Sequence, residues 1–323
     1  MLESATKGGA RIKHISDLYK RASQSATATV CVACAEDINV LEAVEAAKNI
    51  ARFILVGDAQ KIRLSAVAAK ADISRSEIID EPDPEAACKA AVRLVVSGKA
   101  QALMKGQVDT SVIMKAVLDK EAGMRTGRKL SHLAVFELPT YHKLLFVTDA
   151  AINIAPDIDA KREIIRNAVE AVLALGIEMP KVALLAAKEK SDPKMPVTTE
   201  AAELTGYHKT LKTLDVATVP PSIDIDEVLF AGRYHLDGPL ALDNAVSRES
   251  VEIKGIISPV GGDADILVCP DIEAGNILYK SLAFLANAKN GGVVLGAKRP
   301  VILTSRADSA ESKLISIALG ILS

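Results

Sequence analysis

Residues Ala28–Ala71, ATVCVACAEDINVLEAVEAAKNIARFILVGDAQKIRLSAVAAKA, settle the fold class. The apolar run ATVCVACA is short, β-branched and bounded by polar residues, as a buried strand requires, and INVLEAVEAAKNI behind it repeats apolar residues at helical spacing. RFILVG is a second strand, and Gly57-Asp58 turns the chain into the helix AQKIRLSAVAAKA. Strand, helix, strand, helix in this order is the pattern of a mostly parallel sheet covered by helices.

The alternation continues outward. A third helix is expected near residues 84–97, and QALMKG reads as a short strand ending at Gly106, followed by the helix TSVIMKAVLDK with Asp109 or Thr110 at its N-cap. A phosphate suits that helix start. HLAVFELPTYHKLLFVT, residues 132–148, holds two strand runs split by Pro139, expected to be antiparallel neighbours at a crossing into a second lobe. Asp157 caps a helix in which Ile165, Ala168, Val169 and Val172 share a face and Gly176 follows the end. KVALLAA and ADILVCP are buried strands, GGVVLGAKRPVILTS is a strand or strand pair, and SAESKLISIALGIL is a final helix. Residues 205–236, with Pro220-Pro221 and the acidic SIDIDE, read as an irregular insertion.

A chain of 323 residues exceeds what one compact core supports, which predicts two lobes with a cleft between them. Apolar residues make up 49% and aromatics 3%, so Ala, Val, Ile and Leu must build the core, a composition that suits buried parallel strands. Basic and acidic side chains number 39 and 41, and with no long Lys/Arg run this predicts no nucleic-acid partner. The N-terminal MLESATKGGARIKH lacks an apolar signal segment and no stretch has the length to span a bilayer, which predicts a cytoplasmic protein without a membrane partner. Four cysteines do not form a disulfide framework. Cys31 and Cys34 make a C-x-x-C, but on a strand an offset of three sends them to opposite faces, so they read as core residues.

The usual nucleotide signatures are missing: there is no G-x-x-x-x-G-K-[ST] and no G-x-G-x-x-G between strand and helix. The five histidines are scattered, and Asp263 and Asp265 in GGDAD read as turn residues, so no metal site and no tightly bound cofactor is expected.

Five strings carry a resemblance. GGDADILVCPDIEAGNILYKSL (261–282) followed by GGVVLGAKRPVILTSRADSAESKL (291–314) closely resembles the phosphate acetyl/butyryltransferase family, with the butyryl branch nearer. MKGQVDTSVIMKAVLDKEAGMRTGRKLSH (104–132), VTDAAINIAPD (147–157) and DGPLALDNAVS (237–247) add to it in order, covering most of residues 100–323. The resemblance implies a two-domain, isopropylmalate-dehydrogenase-like three-layer α/β/α fold with mostly parallel sheets. The first domain would hold residues 1–138 and 295–323, the second 139–294, and the family is typically a homodimer. The implied reaction is acyl-CoA plus phosphate giving acyl phosphate plus coenzyme A, both carriers being substrates.

That reaction needs cationic and hydrogen-bond donors around a tetrahedral oxyanion and a departing phosphate, and a base for the thiol. Ser305 and Arg306 match the family's Ser-Arg pair at a strand end, where the serine donates a hydrogen bond to the transition state and the arginine engages carbonyl and phosphate. On residue pattern alone the pair reads as a helix cap and a surface charge. Where acetyl-type relatives carry their proposed basic carboxylate, this chain has Ser312. Asp308 and Glu311 are the substitutes, although D-x-x-E at a helix start is also a capping-box pattern. Lys105, Thr110 and Lys115 surround KGQVDTS and suit phosphate or coenzyme A, Lys115 standing where the acetyl branch has a binding arginine. Arg125 and Arg128 are placed to compensate. Asn276 and Lys280 are expected in the first turns of the helix after PDIEAG, near its positive end, Lys280 being either a phosphate contact or a solvated charge. Asp149 and Asn153 in TDAAIN organise the cleft loop or simply form a turn.

Two other readings stay open on sequence: a metal- and NAD(P)-dependent decarboxylating dehydrogenase of the same fold, which needs clustered aspartates, and a catalytically silent coenzyme A-binding protein, for which Ser312 is the support. Acyl chain length is not legible in the spacing.

Overall fold

The computed structural model describes residues 12–24, 28–304 and 308–323. Helix α1 (Ile15–Gln24) precedes β1 (Thr29–Ala33), α2 (Ile38–Ala47), β2 (Arg52–Gly57), α3 (Ala59–Ala69), β3 (Glu77–Asp80), α4 (Pro84–Val96), β4 (Ala102–Lys105) and α5 (Thr110–Leu118). Then come β5 (Ser131–Glu137), β6 (Leu145–Thr148), α6 (Ile158–Ala174), β7 (Lys181–Leu185), α7 (Pro196–Thr213), α8 (Ile225–Ala231), β8 (His235–Leu240), α9 (Leu242–Val246) and α10 (Arg248–Lys254). The chain closes with β9 (Ile266–Val268), α11 (Ile272–Lys280), β10 (Lys289–Leu295), β11 (Val301–Ile302) and α12 (Ala310–Leu322). Aspartate side chains start many of the helices: Asp37, Asp58, Asp83, Asp157 and Asp271 each accept a first-turn amide, satisfying donors the helix cannot.

Among the described residues eleven strands form one sheet in the order β3-β2-β1-β4-β11-β10-β5-β6-β9-β7-β8. From β3 to β11 neighbours are parallel, and so are they from β6 to β8. The three steps β11-β10, β10-β5 and β5-β6 are antiparallel, so the second set runs opposite to the first. This is a two-domain α/β fold with a mostly parallel sheet, and the expected antiparallel pairing within residues 132–148 is present as β5 and β6. β11 and α12 return to the first set, pairing with β4 and packing on α2.

The two sheet faces differ. One carries an unbroken apolar core that includes Leu18 of α1, Leu41 of α2, Ile315 of α12, and Ile165 and Val172 of α6. The other carries two separate cores, one under α4 and α5 with Val92 and Ile113, the other under α11 with Phe136 and Val147. The cross-strand register Cys31–Leu103–Val301–Val294–His132 lies along this second face. His132 stands where the first apolar core gives way to the second, so the gap between α5 and α11 is a groove with a polar floor.

Two expectations are corrected. Residues 205–236 are largely helical, comprising the end of α7, a short 3-10 turn Val216–Thr218 and α8, with Asp215 and Asp224 capping the last two. Cys31 and Cys34 share one apolar core rather than opposite faces, because β1 ends at Ala33 and Cys34 has φ of 56°, which breaks the alternation. Asp263 and Asp265 do more than turn the chain. Lys143 Nζ lies 3.1 Å from Asp263 and 2.6 Å from Asp265, and Lys181 Nζ lies 2.7 Å from Asp263.

Candidate active site

The floor of the groove is built by register. His132 pairs with Val294, and Asn290 pairs with Phe136, which places His132, Phe136 and Asn290 on the same face. The ring of Tyr279, from α11, meets His132 edge-on at 5.9 Å and Phe136 at 5.3 Å, and its hydroxyl donates to Asn290 Oδ1 at 3.0 Å. Gly292 leaves room for the imidazole: a Cβ there would lie 2.6 Å from His132 Nε2. Burial pushes the His132 pKa down, opposed by the negative charges of Asp149 and Asp308, so the ring is neutral at pH 7. Burial, with Asp308 second, pushes the Tyr279 hydroxyl up to about 12.

The rim of the second domain is the loop after β6. Asp149 is buried and its carboxylate accepts the amides of Ala151, Ile152 and Asn153 at 2.8, 3.0 and 3.2 Å. Asn153 Nδ2 donates both to Asp149 Oδ2 and to the Leu130 carbonyl, each at 2.7 Å, tying this loop to the segment leading into β5. Asn276 donates to the Ala150 carbonyl at 3.2 Å, and Gly275 lets α11 approach so closely that a Cβ would fall 2.2 Å from the Asp149 carbonyl.

From the first domain, Lys105 ends β4 two residues beyond Leu103 and therefore on the groove face. It is buried, and its ammonium donates to the carbonyls of Gly106 at 3.3 Å and Val108 at 3.1 Å. Gly106 is held under Cys34, where a Cβ would lie 2.1 Å from the carbonyl oxygen. Thr110 is exposed at the start of α5, and the Asp109 carboxylate ahead of it makes no capping hydrogen bond among the described residues. A cavity of about 250 Å³ lies between Val117 and Leu118 of α5 and Ile152 and Asn153 of the second domain, walled by residues 124–130.

The residues singled out from sequence therefore divide. Arg128 lines the cavity while its guanidinium grips Glu170 of α6 at 2.5 and 3.2 Å, and Asn153 lines it too, whereas Lys105, Thr110, Asp149 and Asn276 lie outside its lining. Lys115 is exposed and turned toward Glu85 of α4, 3.6 Å away, outside the cavity lining. Ser305 and Arg306 lie outside the described residues. Of the residues flanking them, Thr304 is buried, and the charge of Asp308 acts on His132 and Tyr279.

Three expectations need correction. α11 begins at Ile272, so Lys280 is its ninth residue, exposed in the last turn, well away from the positive end. Asp308 and Glu311 do not form a capping box. Ser309 is the cap, its hydroxyl accepting the Ser312 amide at 3.0 Å, with the two hydroxyls 3.0 Å apart. Glu311, counted among the substitute bases, is exposed and paired with Lys289 at 2.7 Å, away from the groove floor. Ser312, a poor base, is thus a helix-cap partner. His132, Tyr279 and Asn290 were missed in the sequence, since nothing in their spacing shows that β5, β10 and α11 bring them together.

The family model described as phosphate acetyl/butaryl transferase matches residues 85–217 and 229–321. The chain belongs to this family. This transferase is 46% identical over 309 residues to the probable phosphate butyryltransferase of Bacillus subtilis, covering 95% of this chain and 97% of that protein. It is 42% identical over 313 residues to the phosphate butyryltransferase of Clostridium acetobutylicum, covering 96% and 98%. Among solved structures it resembles a branched-chain phosphotransacylase from Enterococcus faecalis, with a TM-score of 0.77, 35% identity, and coverage of 92% of this chain and 98% of the other. The family exchanges coenzyme A and phosphate on an acyl group, so this transferase is an acyltransferase. Among the described residues no group of three or more His, Cys, Asp or Glu is placed to hold a metal ion, and the family match decides against the dehydrogenase reading.

Proposed function

We propose that the transferase moves a short acyl group, butyryl in preference to acetyl, between coenzyme A and inorganic phosphate in the groove between its domains. The observation that supports this is the convergence of charge on the polar floor: Asp308, ahead of α12, and Asp149, in the loop after β6, both act on His132, and Asp308 also acts on Tyr279 of α11. With acyl phosphate as the donor, the coenzyme A thiol gives up its proton and attacks the carbonyl carbon. The tetrahedral oxyanion then collapses, the carbon–oxygen bond to phosphate breaks, and phosphate leaves as an anion. Arg306 is assigned the charge that meets the oxyanion and phosphate, Ser305 the hydrogen bond to the transition state, and the uncapped first turn of α5 with Lys105 draws phosphate. Asp308, within electrostatic reach of the floor, takes the thiol proton in place of the carboxylate missing at Ser312. Asp149 and Asn153 position the loop, and Asn276 fixes α11 against it.

The fold is of the isopropylmalate-dehydrogenase type, with residues 1–138 and 295–323 as one domain and 139–294 as the other, and the protein works as a cytoplasmic homodimer with no tightly bound cofactor. No helix among the described residues is long and apolar enough to cross a membrane. The test is release of free thiol from a donor series, acetyl- to hexanoyl-CoA, with and without phosphate. Phosphate-dependent release peaking near butyryl is expected. Activity on no donor, with tight coenzyme A binding, would instead mark a silent binding protein.

A further inference from the structure

A second cavity, of about 360 Å³, opens on the other face of the sheet among α6, α7 and α8. Its volume falls in the range of small-molecule pockets, about 300–1,000 Å³. The floor is apolar, built on Ile165, Leu204 and Leu211. Two arginines sit over aromatic rings: the Arg162 guanidinium carbon lies 4.2 Å from the centre of Tyr207, and that of Arg166 lies 4.9 Å from the centre of Phe230. Such contacts restrain the side chains before a ligand arrives, which lowers the ordering cost of binding.

Two polar groups in this cavity wall are poorly satisfied. His208 is only 3% exposed and its ring has only the Tyr234 backbone beside it, without a hydrogen bond of good geometry, while Arg162 Nε is buried without a partner among the described residues and its Nη1 donates to Asp159 at 3.2 Å. A buried donor without an acceptor destabilises the empty site, and a ligand that supplies the missing acceptor relieves that cost. Burial, with Lys212 second, pushes the His208 pKa down to about 4, so at pH 7 the ring is neutral and offers one N–H and one lone pair. The carboxylates that face the site are engaged: Glu227 accepts the Tyr207 hydroxyl at 2.5 Å, Glu163 accepts the Lys129 amide, and Glu170 holds Arg128 and Arg166.

We propose that this cavity is a second binding site, separate from the acyl-transfer groove, for a small monoanion with an aromatic or medium-length aliphatic body, its head on Arg162 and His208 and its body on the leucine floor. Arg128 borders both cavities, and Asn167 Nδ2 donates to the Lys129 carbonyl at 2.9 Å, so the segment before β5 is the wall between the two sites.

The probe is 4-phenylbutyrate, titrated calorimetrically into the full chain, with 4-phenylbutanol as the uncharged comparator and butyrate as the comparator without the ring. Binding of one 4-phenylbutyrate per chain is expected, at least tenfold tighter than either comparator. Arg162→Gln should weaken it at least tenfold, and so should Leu211→Phe, which fills the floor, each with the thermal midpoint recorded to show that the variant folds. Arg306→Ala and saturating coenzyme A should leave it unchanged. Absence of heat at millimolar probe, equal binding of the alcohol, or binding lost with coenzyme A and untouched by Arg162→Gln would each overturn the proposal, the last by moving the probe into the groove.

Discussion

At the scale of single residues the transferase separates carboxylates that look alike in sequence. Asp308 and Glu311 are three apart, yet Glu311 is spent on Lys289 in solvent while Asp308 acts on the half-buried His132 and Tyr279. Asp308→Asn is therefore expected to lower kcat by about a hundredfold or more, whereas Glu311→Gln should stay within about twofold. Equal loss in both, measured as phosphate-dependent thiol release, would count against Asp308 as the base. Asp149 and Asn153 were legible because TDAAIN is a contiguous string. His132 was not, since a lone histidine has no partner in sequence and its place depends on the β5–β10 ladder, which joins positions far apart in the chain.

At the scale of elements, close backbone approach and buried ion pairs fix what the strands alone leave free. Gly275 lets α11 touch the Asp149 carbonyl, and Gly275→Ala is expected to cost roughly 1–3 kcal/mol by forcing the helix back. A urea midpoint equal to wild type would show that the loop yields freely. The Asp263 cluster joins the strand ends of the second domain. Burial raises the Asp263 pKa, but hydrogen bonds and charge from Lys181 and Lys143 outweigh it and hold the carboxyl well below the usual range. A carboxyl depressed in the folded state stabilises fully above its unfolded pKa of about 3.9, and that stabilisation drains away as pH falls toward the folded value. Asp263→Asn should cost roughly 2 kcal/mol at pH 6, less than a fully buried pair because Asp263 keeps some exposure. In urea unfolding its gap from wild type should hold from pH 8 to 5 and narrow below pH 4, and a gap constant to pH 2.5 would contradict this. Two elements misled the sequence reading for local reasons. Pro220-Pro221 and SIDIDE suggested an irregular insertion where Asp215 and Asp224 start helical turns, and the alternation of β1 hid the positive φ of Cys34.

At the scale of the whole molecule, the alternation of apolar strands with amphipathic helices made the α/β class and its two domains readable, since burial of parallel strands demands that composition. The three antiparallel steps that reverse the second half of the sheet were only partly readable. Pro139 signals the β5–β6 turn, but the insertion of β10 between β11 and β5 is decided by tertiary pairing. Those steps create the polar-floored groove and the split core on one face while leaving the other face continuous, and the acyl-transfer account depends on charge meeting that groove. The turnover of Arg306→Ala on butyryl-CoA and phosphate, taken with its thermal midpoint, tests this most directly. A fall in kcat of about a hundredfold or more with the midpoint within a few degrees of wild type is the expected result, because a charge aimed at the oxyanion is worth most in the transition state. Near-normal turnover in a folded variant would contradict the account.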